Sequence, residues 1–297
     1  MALNTSFSAL ESSIGSAKLR LMTQANQDRL NTSRIRQGME PEARAKLRYL
    51  TLLAETDSTN AAVLRLPGDQ QHAHALLADR QTGGRGRRQR TWHSPAGGNI
   101  YLSLGWWFGD PGHPLSTLPL LVAIAVCRAL ARTGLQGHGI KWPNDILVGD
   151  EKLAGILVEL QSSGIGPAAV VIGIGLNVRM PPLDKTETGT AIDRPWTDLA
   201  TQLGSGDAGI GRNRISALLL EELVSALEHF EAVGFEGFRQ DWQKLDLLDG
   251  NNIELEHLGQ TIRGLALGVD DNGGLVVETE GGGARVFHSA EVSMHRG

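Results

Sequence analysis

The chain has 297 residues, of which 41% are apolar and 21% are charged, and its formal net charge is −5. This length can bury one large core, or a large and a small one, whereas the negative charge argues against a protein that binds nucleic acid over a whole basic face. The single cysteine, Cys127, excludes an intramolecular disulfide and a metal site built from several cysteines. The longest apolar run, residues 118–126, is too short to span a bilayer, and the N-terminus lacks a signal-type apolar core, so we expect a cytoplasmic protein with no membrane partner.

The first predicted element is a polar extension over residues 1–47, whose weak helical periodicity indicates helices rather than an independent domain. Residues 48–248 then mix apolar runs typical of strands with apolar spacing typical of helices. Strands are predicted at 49–55, 73–79, 99–108, 152–160 and 168–178, with another over 140–148 that a turn at Pro143 and Asn144 interrupts. Helices are predicted at 61–66, 118–133 and 214–233.

The composition of the sequence and the length of its apolar runs change after Leu248. Short β-like runs at 253–257, 260–269, 274–279, 284–288 and 291–294 alternate with turns rich in Gly, Asp and Asn. This spacing fits a small β-barrel. We therefore predict a domain boundary near Leu248 and a separate C-terminal domain over residues 249–297.

The most informative run in the chain packs four arginines and three glycines into residues 83–90 and continues to Trp92. Such a loop is costly to order, because glycines lose extra backbone entropy and arginines repel one another, so its order implies an anion. One interpretation is an Arg-rich surface loop or tail that binds nucleic acid. The other is a phosphate clamp of glycine N–H groups and guanidiniums. The run occurs once, between two predicted strands, which favours the clamp.

Two segments with lysines are further candidates. The run Lys141-Trp142-Pro143-Asn144-Asp145 offers a cation, an amide and a carboxylate at a proline turn; it is either a ligand site or a turn whose side chains bond the backbone. Lys152 ends a strand, where it is either solvated or close to a ligand that the small neighbour Gly155 lets approach. The chain contains no Walker A pattern, and residues 173–175 lack the third glycine of a dinucleotide fingerprint.

Five blocks of this sequence, in this order, resemble the biotin–protein ligase family over roughly residues 48–297. They are Asp-Ser-Thr-Asn at 57–60, Gln81 with the loop 84–92, Lys-Trp-Pro-Asn-Asp at 141–145, the run 152–159, and Gly-Ile-Gly-Leu-Asn at 173–177. The arginine loop followed by Lys-Trp-Pro-Asn-Asp is specific, and lipoate ligases, which share the fold, do not carry both. The resemblance implies an α/β (α+β) fold, with a mixed-sheet catalytic domain of the class II synthetase and biotin–lipoate ligase type over 48–248, followed by an SH3-like β-barrel.

The resemblance also implies an ATP-dependent ligase with two steps. The biotin carboxylate attacks the α-phosphate of MgATP, which gives biotinyl-5′-AMP and pyrophosphate. A lysine of a biotin carboxyl carrier domain, in acetyl-CoA carboxylase or a related carboxylase, then attacks the adenylate and releases AMP. Because a carboxylate and a triphosphate repel each other, fixed cations and Mg²⁺ must screen their approach. The protein ligands of the metal stay unassigned, since the ATP phosphates are expected to carry it.

Roles for individual residues follow from the same resemblance. The catalytic residues implied are Arg87, Lys152, which bonds the biotin carboxylate and the adenylate phosphate, and Asp145, which receives the target lysine's proton or organises the loop. The biotin-binding residues implied are Ser58, Thr59, Asn60, Gln81, Gly84, Arg85, Arg87, Trp92, Lys152, Gly155 and Gly173. The nucleotide-binding residues implied are Arg87, Arg90, Lys141, Asn144, Lys152, Asn177 and Trp196, the last of which either stacks on adenine or is a core tryptophan.

Two departures from the family pattern stand out. Gln89 occupies a position where the family loop commonly has a third glycine, and it costs energy there if the position needs a positive φ. The stretch before Tyr49 lacks a convincing helix-turn-helix turn followed by a β-wing. We therefore expect a monofunctional ligase without the winged helix-turn-helix domain of the biotin-operon repressors.

Two other functions remain open at this point. One is a DNA-binding, biotin-responsive regulator that uses the arginine loop, and the other is a lipoate or octanoate transferase of the same fold. The partners we expect are biotin, ATP and a biotin carboxyl carrier domain, with no nucleic acid. A homodimer is possible through the apolar strands around residues 155–178.

Overall fold

The computed structural model describes residues 28–109, 112–161, 167–181, 192, 194–204 and 211–294. The predicted helical extension is present in the described part as two short helices, α1 (Thr32–Gly38) and α2 (Pro41–Lys46). The rest of that prediction, residues 1–27, lies outside the described residues. No helix in the described ranges is long and apolar enough to cross a membrane.

A seven-stranded mixed sheet forms the larger part of the molecule, as predicted. Its spatial order is β1-β2-β3-β7-β6-β5-β4; β1 and β2 run parallel, and every other neighbouring pair is antiparallel. The predicted interruption at Pro143 is confirmed, and there the chain reverses, so that β4 and β5 form a hairpin. The strands are β1 (Tyr49–Thr56), β2 (His74–Gln81), β3 (Ile100–Phe108), β4 (His138–Lys141), β5 (Asp145–Val148), β6 (Glu151–Gln161) and β7 (Ala168–Leu176).

Helices cover both faces of this sheet. They are α3 (Thr59–Leu64), α4 (Leu118–Ala131), the single turn α5 (Leu199–Gln202), α6 (Arg212–Val233) and α7 (Arg239–Leu245). Helix α4 is apolar all round and therefore buried on nearly all sides; it contains Cys127, whose pKa burial raises. Helix α3 packs on the opposite face, where Val63, Leu76 and Val171 form a separate cluster. Because adjacent strand residues point to opposite faces, Leu76 belongs to this cluster while Leu77 belongs to the main core.

The C-terminal region forms a second sheet of five antiparallel strands in the order β11-β10-β9-β8-β12. The turn between β9 and β10 contacts the first domain: the Trp142 indole donates to the Gly273 carbonyl at 2.9 Å, and the Ser116 hydroxyl donates to the Asn272 carbonyl at 2.8 Å. The domain boundaries at 48 and 249 stay predictions, although the two sheets lie on either side of the second. The strands are β8 (Asn252–His257), β9 (Gln260–Val269), β10 (Leu275–Thr279), β11 (Ala284–Phe287) and β12 (Glu291–Met294).

A buried cation connects the N-terminal extension to the sheet. Arg212, the first residue of α6, is only 4% exposed. Its backbone N–H donates to the Asp28 carboxylate at 2.8 Å, and its guanidinium donates to Asp79 at 2.7 Å and to the Asn99 carbonyl at 3.2 Å. Because Asp79 lies two residues before the end of β2 and Asn99 immediately precedes β3, this one side chain connects the two strands that flank the loop with the arginine run.

We expect Arg212→Met to lower the free energy of unfolding by about 2–3 kcal/mol, because the remaining polar groups of the cluster lose their partner. Arg214, two residues further along the same helix, is half exposed and lies 4.0 Å from Glu221, so Arg214→Met should change the free energy of unfolding by less than about 1 kcal/mol. Urea unfolding of both variants measures the difference. Equal losses in the two variants would contradict the role given to Arg212.

Candidate active site

A cavity of about 750 Å³ lies where the β2–β3 loop, the β4–β5 hairpin, the ends of β6 and β7, and the C-terminal sheet meet. It brings together every predicted site residue except Gly84. Gly84 lies just behind the wall, where an added Cβ would be 2.5 Å from the Trp92 carbonyl and 2.6 Å from the Ser94 hydroxyl. The predicted residues that line the cavity are Ser58, Thr59, Asn60, Gln81, Arg85, Arg87, Arg90, Trp92, Lys141, Asn144, Asp145, Lys152, Gly155, Gly173, Asn177 and Trp196.

One end of the cavity has a floor of neutral polar groups. Ser58 is the N-cap of α3, and the Thr59 backbone N–H and hydroxyl both donate to Gln81 Oε1, at 2.9 and 3.1 Å. The Ser103 hydroxyl lies 2.7 Å from Thr59 Oγ1 and 2.6 Å from Asn60 Oδ1. Since all of these residues except the half-buried Gln81 are buried, the network fixes the direction of each donor and acceptor.

Sequence reasoning missed Ser103. Ser103 could have been recognised from the sequence, because it is a small polar residue in the middle of the apolar strand β3. It was also silent on Ser94, whose hydroxyl accepts from Gln81 Nε2 at 3.0 Å and donates to the Trp92 carbonyl at 3.0 Å. Both serines orient predicted residues and do not line the cavity themselves.

A flat apolar wall adjoins this floor. Gly155 on β6 and Gly175 on β7 are directly paired, and the indole of Trp92 lies against both. A Cβ at Gly175 would overlap the indole ring, and one at Gly155 would lie 2.9 Å from it. Gly173, two residues earlier on β7, leaves space for the Asn60 amide in the same way. Because these glycines have no side chain, the Trp92 indole and the Asn60 amide can lie directly against the strands and form the cavity wall.

The arginine loop is a small hairpin. The Trp92 N–H donates to the Gly84 carbonyl at 2.9 Å, the Gly86 N–H donates to the Arg90 carbonyl at 2.7 Å, and a tight turn at Arg87–Gln89, in which the Arg90 N–H donates to the Arg87 carbonyl at 3.2 Å, forms the tip. At that tip Arg88 and Gln89 have φ values of 54° and 60°. The position of Gln89 therefore does take a positive φ, and a glutamine there costs about 1 kcal/mol relative to glycine.

Protein carboxylates pair with three arginines of the loop in this structure, and a neutral amide accepts a hydrogen bond from the fourth. Arg85 pairs with Glu159 at 3.0 Å, Arg90 pairs with Glu291 of β12, and Arg88 lies 4.0 Å from the same carboxylate. Arg87 instead donates to Asn144 Oδ1 at 3.2 Å. Its pKa is lowered by burial first and by Arg88 second, while Asp145 opposes the shift. Neither Glu159 nor Glu291 was predicted as a site residue, because each is distant in sequence from the loop.

A lysine–carboxylate pair lines the cavity. Lys152 Nζ is 2.6 Å from Asp145 Oδ1 and 5.3 Å from the centroid of the Trp92 ring. Lys141 is nearby, and burial lowers its pKa; Arg194 and Lys152 lower it further, whereas Asp145 raises it. The β4–β5 hairpin therefore contributes one lysine and the carboxylate, while β6 contributes the second lysine.

The segment 195–197 forms the remaining side of the cavity. It runs parallel to Lys152, whose N–H donates to the Pro195 carbonyl at 3.0 Å and whose carbonyl accepts from the Thr197 N–H at 3.1 Å. This pairing brings Trp196 to the cavity, where it is half-buried. Asn177 donates through Nδ2 to the Thr197 carbonyl at 3.0 Å, so it positions this segment, and its direct nucleotide contact stays a prediction.

Comparison with known families agrees with this geometry. A sequence model of the biotin/lipoate A/B protein ligase family matches residues 52–177, and a model of the biotin protein ligase C-terminal domain matches residues 250–295. The bifunctional ligase/repressor BirA of Escherichia coli is 35% identical over 250 residues, which cover 82% of this chain and 75% of that protein. The chain belongs to the biotin protein ligase family.

Two further relatives fit the same family. The biotin–[acetyl-CoA-carboxylase] ligase of Mycobacterium tuberculosis is 33% identical over 255 residues, which cover 84% of this chain and 89% of that one. The solved structure of the Aquifex aeolicus biotin protein ligase in complex with biotin and ATP superimposes with a TM-score of 0.69 at 28% identity, over 84% of this chain and 100% of that one. Within this biotin protein ligase, no group of three or more His, Cys, Asp or Glu side chains in the described ranges is arranged to hold a metal ion.

We expect Gly175→Ala to move the Trp92 indole away from the cavity wall, because the added methyl group overlaps the ring. The expected result is a loss of about 1–3 kcal/mol in the free energy of unfolding and a changed near-UV circular dichroism spectrum. Gly281→Ala is the matched control, since no atom lies within 4 Å of a Cβ built at that glycine. Wild-type stability and spectrum in Gly175→Ala would show that the indole does not rest on this glycine.

Proposed function

We propose that this member of the family attaches biotin to a lysine of a biotin carboxyl carrier domain in an ATP-dependent reaction with a biotinyl-5′-AMP intermediate. The observation that supports the proposal is the order of neutral polar, apolar and cationic groups along one cavity. Its floor is neutral and polar, its wall is the Trp92 indole, and its other side holds cations including Arg87, Lys141 and Lys152. A molecule with a polar neutral ring, an apolar middle and a carboxylate beside a nucleotide fits that order.

The floor suits the ureido ring of biotin. A cyclic urea has N–H donors and a carbonyl acceptor, and burying them is favourable only when each finds a partner. Thr59, Gln81 and Ser58 lie at this end with their orientations fixed by the network described above. The indole of Trp92 then covers the apolar part of the ligand.

The cationic side suits the first step. An oxygen of the biotin carboxylate attacks the α-phosphorus of MgATP, the bond from that phosphorus to the bridging oxygen breaks, and pyrophosphate leaves. Lys152 and Arg87 reduce the repulsion between the two anions and stabilise the charge that develops at the phosphorus. Lys141 and Arg90 line the same part of the cavity and are proposed contacts of the nucleotide phosphates, with Trp196 against the base.

The second step uses the carboxylate of the lysine–carboxylate pair. The amine of the target lysine attacks the acyl carbon, the bond from that carbon to the phosphate oxygen breaks, and AMP leaves. Asp145 is the proposed acceptor of the amine proton. It pairs with Lys152 at 2.6 Å in this structure, so a Lys152 that turns toward the adenylate leaves Asp145 free to take that proton.

The partners and the location of the enzyme are proposals as well. The acceptor is a biotin carboxyl carrier domain, and the location is the cytoplasm. A homodimer is supported by strand β6, which continues past its four-residue neighbour β5, so that residues 158–161 pair only with β7 in the described part of the sheet. No nucleic-acid partner is proposed, because α1 and α2 pack on α6 and no strand precedes β1 among residues 28–48.

The full chain incubated with biotin and MgATP should release pyrophosphate and, once a carrier domain is added, should biotinylate one lysine of that domain. Biotin should raise the melting temperature, and lipoate or octanoate should not, because the floor is built for a urea ring. Folded protein that releases no pyrophosphate with biotin would refute the ligase. Pyrophosphate release with lipoate instead of biotin would show that lipoate is the acid that this site activates.

We expect Lys152→Ala to slow biotinyl-5′-AMP formation by about 10²-fold or more, because it removes a cation from the attacking carboxylate and from the phosphate. Transfer from added biotinyl-5′-AMP to the carrier should fall less. Lys46→Ala is the matched control, since Lys46 lies on α2, where it pairs with Glu228 outside the cavity. Single-turnover assays of the two half-reactions separate these effects, and normal adenylate formation by Lys152→Ala would contradict the assignment.

A further inference from the structure

We propose that Glu159 is a positioning residue that couples the arginine loop to the floor of the biotin end. The inference rests on the proposed function and goes beyond it, because Glu159 does not line the cavity and neither binds nor reacts in the mechanism above. Its carboxylate instead joins two groups that do line the cavity. One is the buried amide of Asn60, and the other is the guanidinium of Arg85.

The contacts converge on a single oxygen. Glu159 Oε2 accepts from Asn60 Nδ2 at 2.7 Å and from Arg85 NH2 at 3.0 Å. Asn60 belongs to α3 on one side of the cavity, Arg85 belongs to the loop hairpin, and Glu159 belongs to β6 between them. The carboxylate is therefore the one charged group through which the described structure links the floor to the loop.

Asn60 has little bonding capacity left for a ligand. Its Nδ2 also donates to the Leu157 carbonyl at 3.3 Å, its Oδ1 lies 2.6 Å from the Ser103 hydroxyl, and the side chain fills the space above Gly173. Both amide hydrogens are thus used within the protein. Asn60, which the sequence predicted to contact biotin, is therefore proposed to connect the floor to Glu159 through its amide.

Arg85 holds the base of the loop rather than its tip. It forms the bridge with Thr91 that aligns the two limbs of the hairpin, next to the Gly84–Trp92 hydrogen bond. Fixing Arg85 to Glu159 therefore also fixes Trp92 against the glycine wall. The fixed floor thereby holds Asn60, Glu159 and Arg85 in turn, and so keeps the base of the hairpin and Trp92 beside a bound intermediate.

An ordinary surface ion pair is the simpler alternative, since the two side chains are 45% and 27% exposed and such pairs contribute little to stability. The buried amide distinguishes the two explanations. Asn60 is 3% exposed, and without Glu159 one of its donors has no partner. A surface pair predicts no effect on the ligand, whereas a positioning role predicts faster loss of the bound intermediate even in a variant that keeps an acceptor for Asn60.

The experiment measures the dissociation rate of biotinyl-5′-AMP from the full chain, with the melting temperature and the KM for biotin measured alongside. Glu159→Gln keeps the shape and an acceptor for Asn60 but removes the charge that holds Arg85, and we expect release about threefold to tenfold faster. Glu159→Ala also removes the acceptor, so release should be faster still and the KM for biotin should rise. Glu151→Gln, on the exposed start of the same strand, is the control and should behave as wild type.

A double-mutant cycle tests whether Glu159 acts through Arg85. Arg85→Gln should speed release, and adding Glu159→Gln to it should produce no further change, because the pair is already broken. Independent, multiplying effects would overturn the proposal, as would a Glu159→Gln protein that releases the intermediate at the wild-type rate. A wild-type protein that forms no intermediate refutes the ligase itself, which is a separate outcome from a Glu159 variant that behaves as wild type.

Discussion

The repulsion among cations in one cavity is the constraint on which the rest of this structure depends. Four arginines of the loop and two lysines of the sheet surround a space that is suited to anions, and each cation disfavours its neighbours. The fold offsets about half of this charge with three carboxylates from three different elements: Asp145 on β5, Glu159 on β6 and Glu291 on β12. Anionic substrates that enter the cavity interact with cations whose present partners are these side chains, so binding exchanges one set of ion pairs for another.

This constraint explains why the C-terminal sheet belongs to the site. Glu291 pairs with Arg90 and Arg194, and the turn at Gly273 accepts the indole N–H of Trp142, the residue before the turn that carries Asn144 and Asp145. The smaller domain therefore holds both the arginine loop and the β4–β5 hairpin. Its position influences the charge balance of the cavity even though most of the predicted binding residues belong to the larger domain.

Hydrogen bonds, rather than ion pairs, organise the neutral end of the cavity. Its polar groups are buried, so each of them needs a partner, and the partners fix their directions. The opposing glycines of β6 and β7 leave room for the Trp92 indole and the Asn60 amide. A rigid, neutral floor next to a set of exchangeable ion pairs distinguishes two parts of one ligand, because the first selects by shape and hydrogen bonds and the second by charge.

The sequence by itself determined the alternation of strands and helices, the second β domain and most of the residues that the structure brings together around one cavity, because periodicity and short motifs such as Lys141–Asp145 are local properties of the chain. It also located the unfavourable position of Gln89, whose positive φ the structure bears out. Only the tertiary structure decided the partners. Glu159 and Glu291 lie 74 and 201 residues from the arginines they bind, and no local pattern encodes such a pairing. The surroundings of Asn60 and Gly84 were decided in the same way: the Asn60 amide bonds Leu157 and Glu159, and Gly84 lies behind the cavity wall, because these neighbours are set by which strands and loops pack together.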